Sequence, residues 1–409
     1  MINFIFISPQ YPERNYLWVE ALAKKGIRVL GIGDAPEWEL KPELRNVLTE
    51  YYTVYDMNNY QKMIEAVGYY QNKYGKIDYI ESNNEWWLSL DAMLREWFGV
   101  NTGFHPKDME HIKAKSAMKE SFQKGGAKTM RYLVVRGPWD KKAGEAFVKE
   151  VGFPVFVKPN IGVGAASSYS LKNQADFDEF FAHDLPEPYI MEEEMHGSIV
   201  SFDGICDNEG NVVFCCTDHF PIPIAELVHE GADHCYWNVP FALKMDDINQ
   251  KEFEKVGRSV VKAFGIRKRF FHIEFFVLNE DRPGLAKKGE FVALECNMRA
   301  PGGFTPDLIN FGSSVSVFDI YADVIATNEN HQDMSLPKYY AMASHRRDSK
   351  WYVHDIDEIK AKYGDALKMY GDYPQNIAAV MGNHYYFATF KTLEEAKEFD
   401  AFVREKVGG

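Results

Sequence analysis

Two short segments carry charged residues where a buried strand would carry apolar ones. In FHIEFF, Phe271 to Phe276, His272 and Glu274 stand two apart. Twenty-one residues after Glu274, LECNMRAPGG supplies Glu295, Asn297, Arg299 and the pair Gly302-Gly303. Side chains alternate along a strand with period two, so His272 shares a face with Glu274, and Glu295 with Asn297. If the two strands are neighbours, three oxygen ligands converge: Glu274, Glu295 and the amide oxygen of Asn297. Hard divalent cations, magnesium above all, take such oxygens, commonly with substrate phosphates completing the shell. A buried carboxylate without cation or hydrogen bonds is costly, and a metal removes that cost. The plain alternative is that each glutamate pairs with an arginine or lysine at a sheet edge. The company of Arg299 and the glycine pair favours a metal and phosphate site.

Phosphates call for further cations. Lys158 ends the strand-like FPVFVK, and the loop NIGVGAASS follows directly. Gly162 and Gly164 let backbone N–H groups turn toward an anion, and Ser167 and Ser168 add hydroxyl donors. The loop is not a Walker A motif, because no GK[ST] closes it and a strand follows; a tight hairpin explains the glycines equally well. Lys115 lies on the helical HIKAKSAMKESF, and alone it carries no signal. The run MEEEM, Met191 to Met195, ends the strand PYIM with three carboxylates. It reads either as an exposed acidic strand end or as a hinge that meets a purine, a carboxylate taking the exocyclic amine and the backbone taking the ring edge.

The elements that must position these groups follow from periodicity. INFIFIS, IRVLGIG and IDYIES read as strands separated by the helices NYLWVEALAKKG and YQKMIEAVGYYQNKYG, an order that predicts a parallel sheet covered on both faces. The first strand runs into SPQYP and not GxGxxG, so the unit is Rossmann-like without a dinucleotide cradle. One helix is predicted from about Met109 to Lys124, then the strand TMRYLVV, the helix DKKAGEAFVKEVG and the strand FPVFVKPN. Strands dominate 189–300, around the helix DINQKEFEKVGRSVVKAFG. A polar junction near 331 opens a last stretch that ends in the helix TLEEAKEFDAFVREK.

The chain has 409 residues, enough for two to four domains, with 46% hydrophobic and 26% charged residues, the balance of a globular protein. Its net charge of −14 opposes binding to nucleic acid. No run reaches the length of a membrane span, and the amino-terminal MINFIFISPQYPER reads as a strand, so a cytoplasmic protein that binds no membrane is expected. Five cysteines without a CxxC pair argue for reduced thiols. Cys215, Cys216, His219, His229, His234 and Cys235 raise a zinc site as a rival, although adjacent strand cysteines point to opposite faces. Glu85, at the end of a parallel strand, is placed at a ligand cleft. Arg346 and Arg347 read either as cations for a second carboxylate or as a solvated basic turn.

Taken together, Lys115 in KAKSAMK, Lys158 in VKP, IGVGAAS, MEEEM, HIEF, ECNMR and PGG resemble the ATP-grasp superfamily over about Lys113 to Ala326, with Lys115 and Lys158 43 residues apart. Within it, the chain looks like ATP-dependent carboxylate-amine ligases and the group of carbamoyl-phosphate synthase large subunits and biotin carboxylases. The resemblance implies an α/β and α+β multidomain protein. Residues 1–112 would form a Rossmann-like preATP-grasp domain, 113–330 the ATP-grasp domain (113–190 and 191–330 as its two subdomains), and 331–409 a small C-terminal α+β region. It implies ATP as the nucleotide and one or two Mg²⁺ ions. Lys115, Lys158, Gly162, Gly164 and Ser167 would bind its phosphates. Glu192, the Glu193 carbonyl and the Met195 N–H would meet the purine. Glu274, Glu295 and Asn297 would hold metal, and Arg299 would contact the transferred phosphoryl group and the substrate carboxylate. Arg299, Lys158 and His272 would be catalytic, His272 by orienting the acid or the amine; Glu85, Gly302 and Gly303 would line the substrate site. Where relatives carry an acid two positions after the hinge glycine, this chain has Ile199, which leaves Asp203 as the nearby acid for the ribose. The implied reaction joins a small-molecule carboxylate to an amine through an acyl phosphate, in a homodimer by default. Activation of bicarbonate is the alternative, and an ATP-binding regulatory module the non-enzymatic one.

Overall fold

In the computed structural model, which describes residues 1–162, 167–223, 232–245 and 248–408, four parallel strands come first. They are β1 (Asn3–Ile7), β2 (Arg28–Gly33), β3 (Glu50–Thr53) and β4 (Tyr79–Glu81), side by side in the order β3-β2-β1-β4. All five residues of β1 are buried. Phe4 and Phe6 pack against helix Tyr16–Lys24, while Ile5 and Ile7 face Met63, Val67 and Tyr70 of helix Tyr60–Tyr74. Burial on both faces is why this strand reads as an uninterrupted apolar run.

The predicted helix over 109–124 is two helices, Met109–Lys113 and Lys115–Lys124, divided at Ala114, whose backbone is extended at φ −82°, ψ 116°. The second helix starts on Asn160, whose carbonyl accepts from Lys115 N and whose side-chain oxygen accepts from Ser116 N, both near 2.9 Å (2.8 and 2.9 Å). Hydrophobic periodicity runs through such a break, which is why the sequence reads as one helix. The break makes Lys115 the first residue of a helix that abuts the end of the Lys158 strand.

A second, antiparallel sheet follows: β5 (Tyr132–Val135), β6 (Val155–Pro159), β7 (Tyr169–Leu171) and β8 (Tyr189–Glu193), ordered β5-β8-β6-β7. Val135, Val155, Val157 and Met191 pack with Phe147, Phe177 and Phe181, which lie on or beside helices Lys141–Val151 and Gln174–Phe180. Alternation then turns Lys158 and Glu192 to the other face.

The third sheet has eight strands: β9 (Gly197–Cys206), β10 (Val212–Phe220), β11 (Cys235–Pro240), β12 (Arg269–Leu278), β13 (Phe291–Asn297), β14 (Tyr340–Arg346), β15 (Leu367–Asp372) and β16 (His384–Phe390). Their order is β13-β12-β9-β10-β11-β14-β16-β15. The strands of 331–409 therefore extend this sheet through the antiparallel pairing of β11 with β14. One face buries Phe202, Phe271, Ile273 and Phe275 against Phe253 and Val260 of helix Gln250–Ala263 and Phe122 of helix Lys115–Lys124.

The first sheet is fastened to the third by apolar contact and by buried charge. Phe4, Phe6 and Trp18 join Phe270, Ile205 and Tyr321 in one cluster. Beside it, Glu81 at the end of β4 lies 2.9 Å from Arg95 and 3.0 Å from Arg269, which opens β12. All three are buried, and such charges persist only when paired. Among the described residues no single helix is long and apolar enough to cross a membrane.

Candidate active site

β12 and β13 pair with His272 opposite Asn297 and Glu274 opposite Glu295. The expected neighbourhood is present, and the four side chains form a two-by-two block on one face. Directly opposed carboxylates repel, so Glu274 and Glu295 require cations. His272 supplies one: its Nε2 lies 3.0 Å from Glu274 and its Nδ1 2.6 Å from Asp203. Burial disfavours a charged imidazole, but Asp203 and Glu274 outweigh it and push His272 up to about 10. The ring thus donates from both nitrogens. Burial likewise raises the Glu274 carboxyl, and His272, then Arg299 and Lys158, more than reverse this and hold it below its ordinary value.

Behind the block the polar row continues into the sheet. Ser201 donates to Asp203. Asp218, fully buried, is pushed well above its ordinary value by burial and by the charge of Asp203. Asn238 Nδ2 donates to Asp218 Oδ1 at 2.9 Å. Asp203 is committed to His272 and Ser201, deep in the sheet and 0% exposed.

The second sheet presents Lys158, and the helix Lys115–Lys124 presents Lys115 and Lys119. Lys158 Nζ lies 2.7 Å from Glu192 Oε2, and Lys119 Nζ lies 2.5 Å from Glu192 Oε1. Glu192 is thus clamped between two buried ammonium groups. Burial would raise its carboxyl, but Lys119 and Lys158 hold it down at about 2. Burial would lower Lys158; Glu192 and Glu295 raise it instead. Lys119 goes the other way, lowered by burial and by Lys158 despite its carboxylate partner. Lys115 Nζ donates to the Gly162 carbonyl at 3.0 Å and stands 3.8 Å from Glu295. That lysine bridges the glycine loop and the carboxylate block.

Arg299 follows β13 on the same side. Its NH1 donates to the Ala300 carbonyl at 2.9 Å, its NH2 reaches Asn297 Oδ1 at 3.5 Å, and its Nε lies 3.9 Å from Glu85. Glu85 is buried, and burial raises its carboxyl against the opposing charge of Arg299. Gly303 adopts φ +62°, a left-handed turn that glycine enters without strain, and the Thr305 N–H donates to the Gly302 carbonyl at 3.3 Å.

Lys115, Lys158, Glu192, Glu274, Glu295, Asn297, Arg299, His272, Asp203 and Glu85 are therefore linked through direct contacts or through shared charge. Glu193 turns to the opposite face, where its carboxylate takes Arg131 Nε at 3.1 Å, and Met195 packs with Met130, Leu278 and Val292. Ser167 has φ 60°; Gly164 and His229 lie outside the described residues. The donor set of Glu274, Glu295 and Asn297 suits magnesium: opposed carboxylates, each about a quarter exposed (22% and 25%), and an amide oxygen, all hard ligands.

Three readings are corrected. Among the described residues no group of three His, Cys, Asp or Glu is placed to hold a metal ion, which removes the zinc rival there; Cys215 contacts Arg258 and His219 stacks on Trp237. Arg346 is neither a substrate cation nor a solvated turn. It is buried, donates to the Val403 and His354 carbonyls, and stacks on Tyr352 and Tyr386. Arg347 similarly donates to the carbonyls of Ala232 and Val380. Lys119 and Asp218 were not anticipated. Lys119 had a legible signal, since a residue four after Lys115 shares its helix face; Asp218 had none short of the register of β9 with β10.

No family model matches the chain. An L-arginine-specific L-amino acid ligase of Bacillus subtilis is 23% identical over 265 residues, covering 60% of this chain and 57% of that protein. The match thus spans little more than half the length of that curated relative. The crystal structure of an L-amino acid ligase from Bacillus licheniformis superposes with a TM-score of 0.72 at 13% identity, covering 98% of this chain and 96% of that one. The biotin carboxylase domain of the Hydrogenobacter thermophilus 2-oxoglutarate carboxylase, a dimer in complex with MgADP, ADP and bicarbonate, gives 0.68 at 15% identity, over 97% and 88%. The fold is that of the ATP-grasp ligases.

Proposed function

We propose that the chain is an ATP-dependent ligase that phosphorylates a small-molecule carboxylate and couples it to an amine, with release of ADP and phosphate. The observation that carries this reading is the convergence of two sheets on one place. Lys115 and Lys158 come from the glycine-loop side, Glu274, Glu295, Asn297 and Arg299 from the other, and Lys115 touches both through Gly162 and Glu295. The two amino acid ligases that the chain resembles support the same class of chemistry.

In this reading Lys115 and Lys158 bind the phosphates of ATP, beside Gly162, whose carbonyl Lys115 already holds. Glu274, Glu295 and Asn297 hold magnesium, which supplies charge neutralisation for phosphate oxygens. Arg299 binds the acid substrate by its carboxylate, and its contact with Asn297 keeps that acid beside the metal-ligand block. Glu85 fixes the guanidinium from behind. His272 orients Glu274 while Asp203 orients His272. Glu192 holds Lys119 and Lys158 in place, and the strand end that follows it meets the purine with the Glu193 carbonyl and the Met195 N–H. An acid carboxylate reacts poorly with an amine; after phosphoryl transfer the acyl phosphate carries a good leaving group, and the amine displaces phosphate. Positioning and charge neutralisation supply most of such catalysis.

The test is ADP release with Mg²⁺ over a panel of amino acids and amines. Stimulation should require an acid and an amine together, and Glu295→Gln should abolish it while circular dichroism stays unchanged. Stimulation by bicarbonate alone would replace this reading with the carboxylase alternative, and near-normal turnover by Glu295→Gln would remove the metal assignment.

A further inference from the structure

A cavity of about 440 Å³ opens between the C-terminal ends of the first sheet, the segment after Gly303 and the end of the eight-stranded sheet. Its walls are Tyr16, Phe304, Tyr373 and Tyr385, and its charged lining residues include Glu13, Glu43, Asp372, Arg14 and Lys41. The volume is that of a small-molecule site. Phe304 stacks on Tyr373 at 5.3 Å and meets Tyr385 edge-on at 5.0 Å. Phe304 is five residues past Arg299, so the cavity wall and the candidate acid-binding arginine belong to one short segment of chain.

The charges decide what the cavity takes. Both lining cations are already committed. Arg14 makes a two-pronged pair with Asp307, directly behind the wall, and lies over Phe304 at 5.5 Å. Lys41 pairs with Glu13. Asp372 shares one imidazole with a second carboxylate, His384 lying 2.6 Å from Asp372 and 2.6 Å from Asp348. Glu43 has no ion-pair partner among the described residues. Counting Asp307, four carboxylates stand around two cations, and the Arg14 guanidinium already lies over the Tyr16 and Phe304 rings, so the cavity wall holds one cation of the proposed kind against its aromatic lining. An anionic ligand finds no unengaged positive group here.

We propose that this cavity is a subsite for the cationic head, guanidinium or ammonium, of a substrate whose carboxylate or amine reacts at the Arg299 site. The assignment rests on the ligase reading above for the word substrate, and on the cavity alone for the cation. L-arginine and its neutral ureido isostere L-citrulline separate the two, since they differ in charge and hardly in shape.

Binding of each to the full chain is measured by titration calorimetry without ATP, alongside Asp372→Asn with Glu43→Gln in one variant and Asp372→Lys in another. Both positions are exposed, so the variants keep the fold. L-arginine should bind at least tenfold tighter than L-citrulline, and both variants should weaken L-arginine at least tenfold while leaving L-citrulline unchanged. Equal binding of the two ligands, or unchanged L-arginine affinity in the variants, overturns the cation subsite. ADP release is read in parallel: binding as expected with no ADP formed under any acid and amine leaves the cavity assignment standing and sinks the ligase. Turnover on neutral substrates that both variants leave untouched, without cation preference, does the reverse.

Discussion

Replacing Glu192 with glutamine removes the negative centre of the buried Lys119–Glu192–Lys158 row and leaves two ammonium groups facing each other, 3% and 10% exposed. The carboxyl is held at about 2 against an ordinary 4.5, a difference worth about 3 kcal/mol at neutral pH, in line with the roughly 3–5 kcal/mol for breaking a buried pair. Because the folded-state value is depressed, the contribution is fully present above about pH 4.5 and is lost as pH falls toward 2. The assay is amide hydrogen exchange of β6 and β8, where local opening governs the rate. Exchange there should rise by about 100-fold in Glu192→Gln at pH 7, since each 1.4 kcal/mol is tenfold. Between pH 4.5 and 2 the gap between the proteins should close from the wild-type side. A second substitution, Lys119→Met, added to Glu192→Gln should restore part of the protection by relieving the repulsion. Unchanged exchange in Glu192→Gln, or a variant that keeps the wild-type acid dependence, would refute the clamp.

Two further substitutions separate positioning from structure. His272→Gln should raise the Mg²⁺ concentration for half-maximal ADP release by about tenfold, the usual cost of losing a group that orients a metal ligand. In the wild type the imidazolium's stabilising effect should be full below pH 6.5 and fade as pH rises through about 10; urea unfolding across that range reads it. Arg346→Ala should lower the thermal midpoint by several degrees, through lost donors to the Val403 and His354 carbonyls, with the Michaelis constants for acid and amine unchanged; a raised constant with intact stability would return Arg346 to the substrate site.

Much of the fold was legible because period and punctuation coincide with it. β1, β2 and β4 follow the apolar runs, and Gly26 and Gly75, at φ +74° and +83°, sit where helices were expected to stop. That His272 shares a face with Glu274, and Glu295 with Asn297, was legible because a two-residue spacing on a strand has one meaning; that the two strands pair is the register of β12 with β13. What sequence order could not show is sheet order. β12 lies between β13 and β9, so Asp203, some seventy residues earlier in the chain, becomes the partner of His272. The break at Ala114 was hidden for a different reason: its cause is Asn160, remote in sequence, whose two acceptors start the second helix.

With a net charge of −14, the chain must gather positive charge locally if the proposed reaction is to hold a polyphosphate. Lys115, Lys119, Lys158 and Arg299 stand against Glu85, Glu192, Glu274 and Glu295, with His272 balanced by Asp203. The row is close to neutral before any nucleotide arrives, so the side chains that hold one another in place have little surplus charge for three phosphates. In the proposed reaction that surplus enters with the divalent cation at Glu274 and Glu295, where opposed carboxylates repel until a cation joins them. Nucleotide affinity should therefore depend steeply on Mg²⁺ in the wild type and much less so in Glu295→Gln, which lacks one of the two opposed charges. Fluorescent-nucleotide titration at fixed ionic strength measures this directly, and an affinity independent of Mg²⁺ in the wild type would show that the lysines alone suffice.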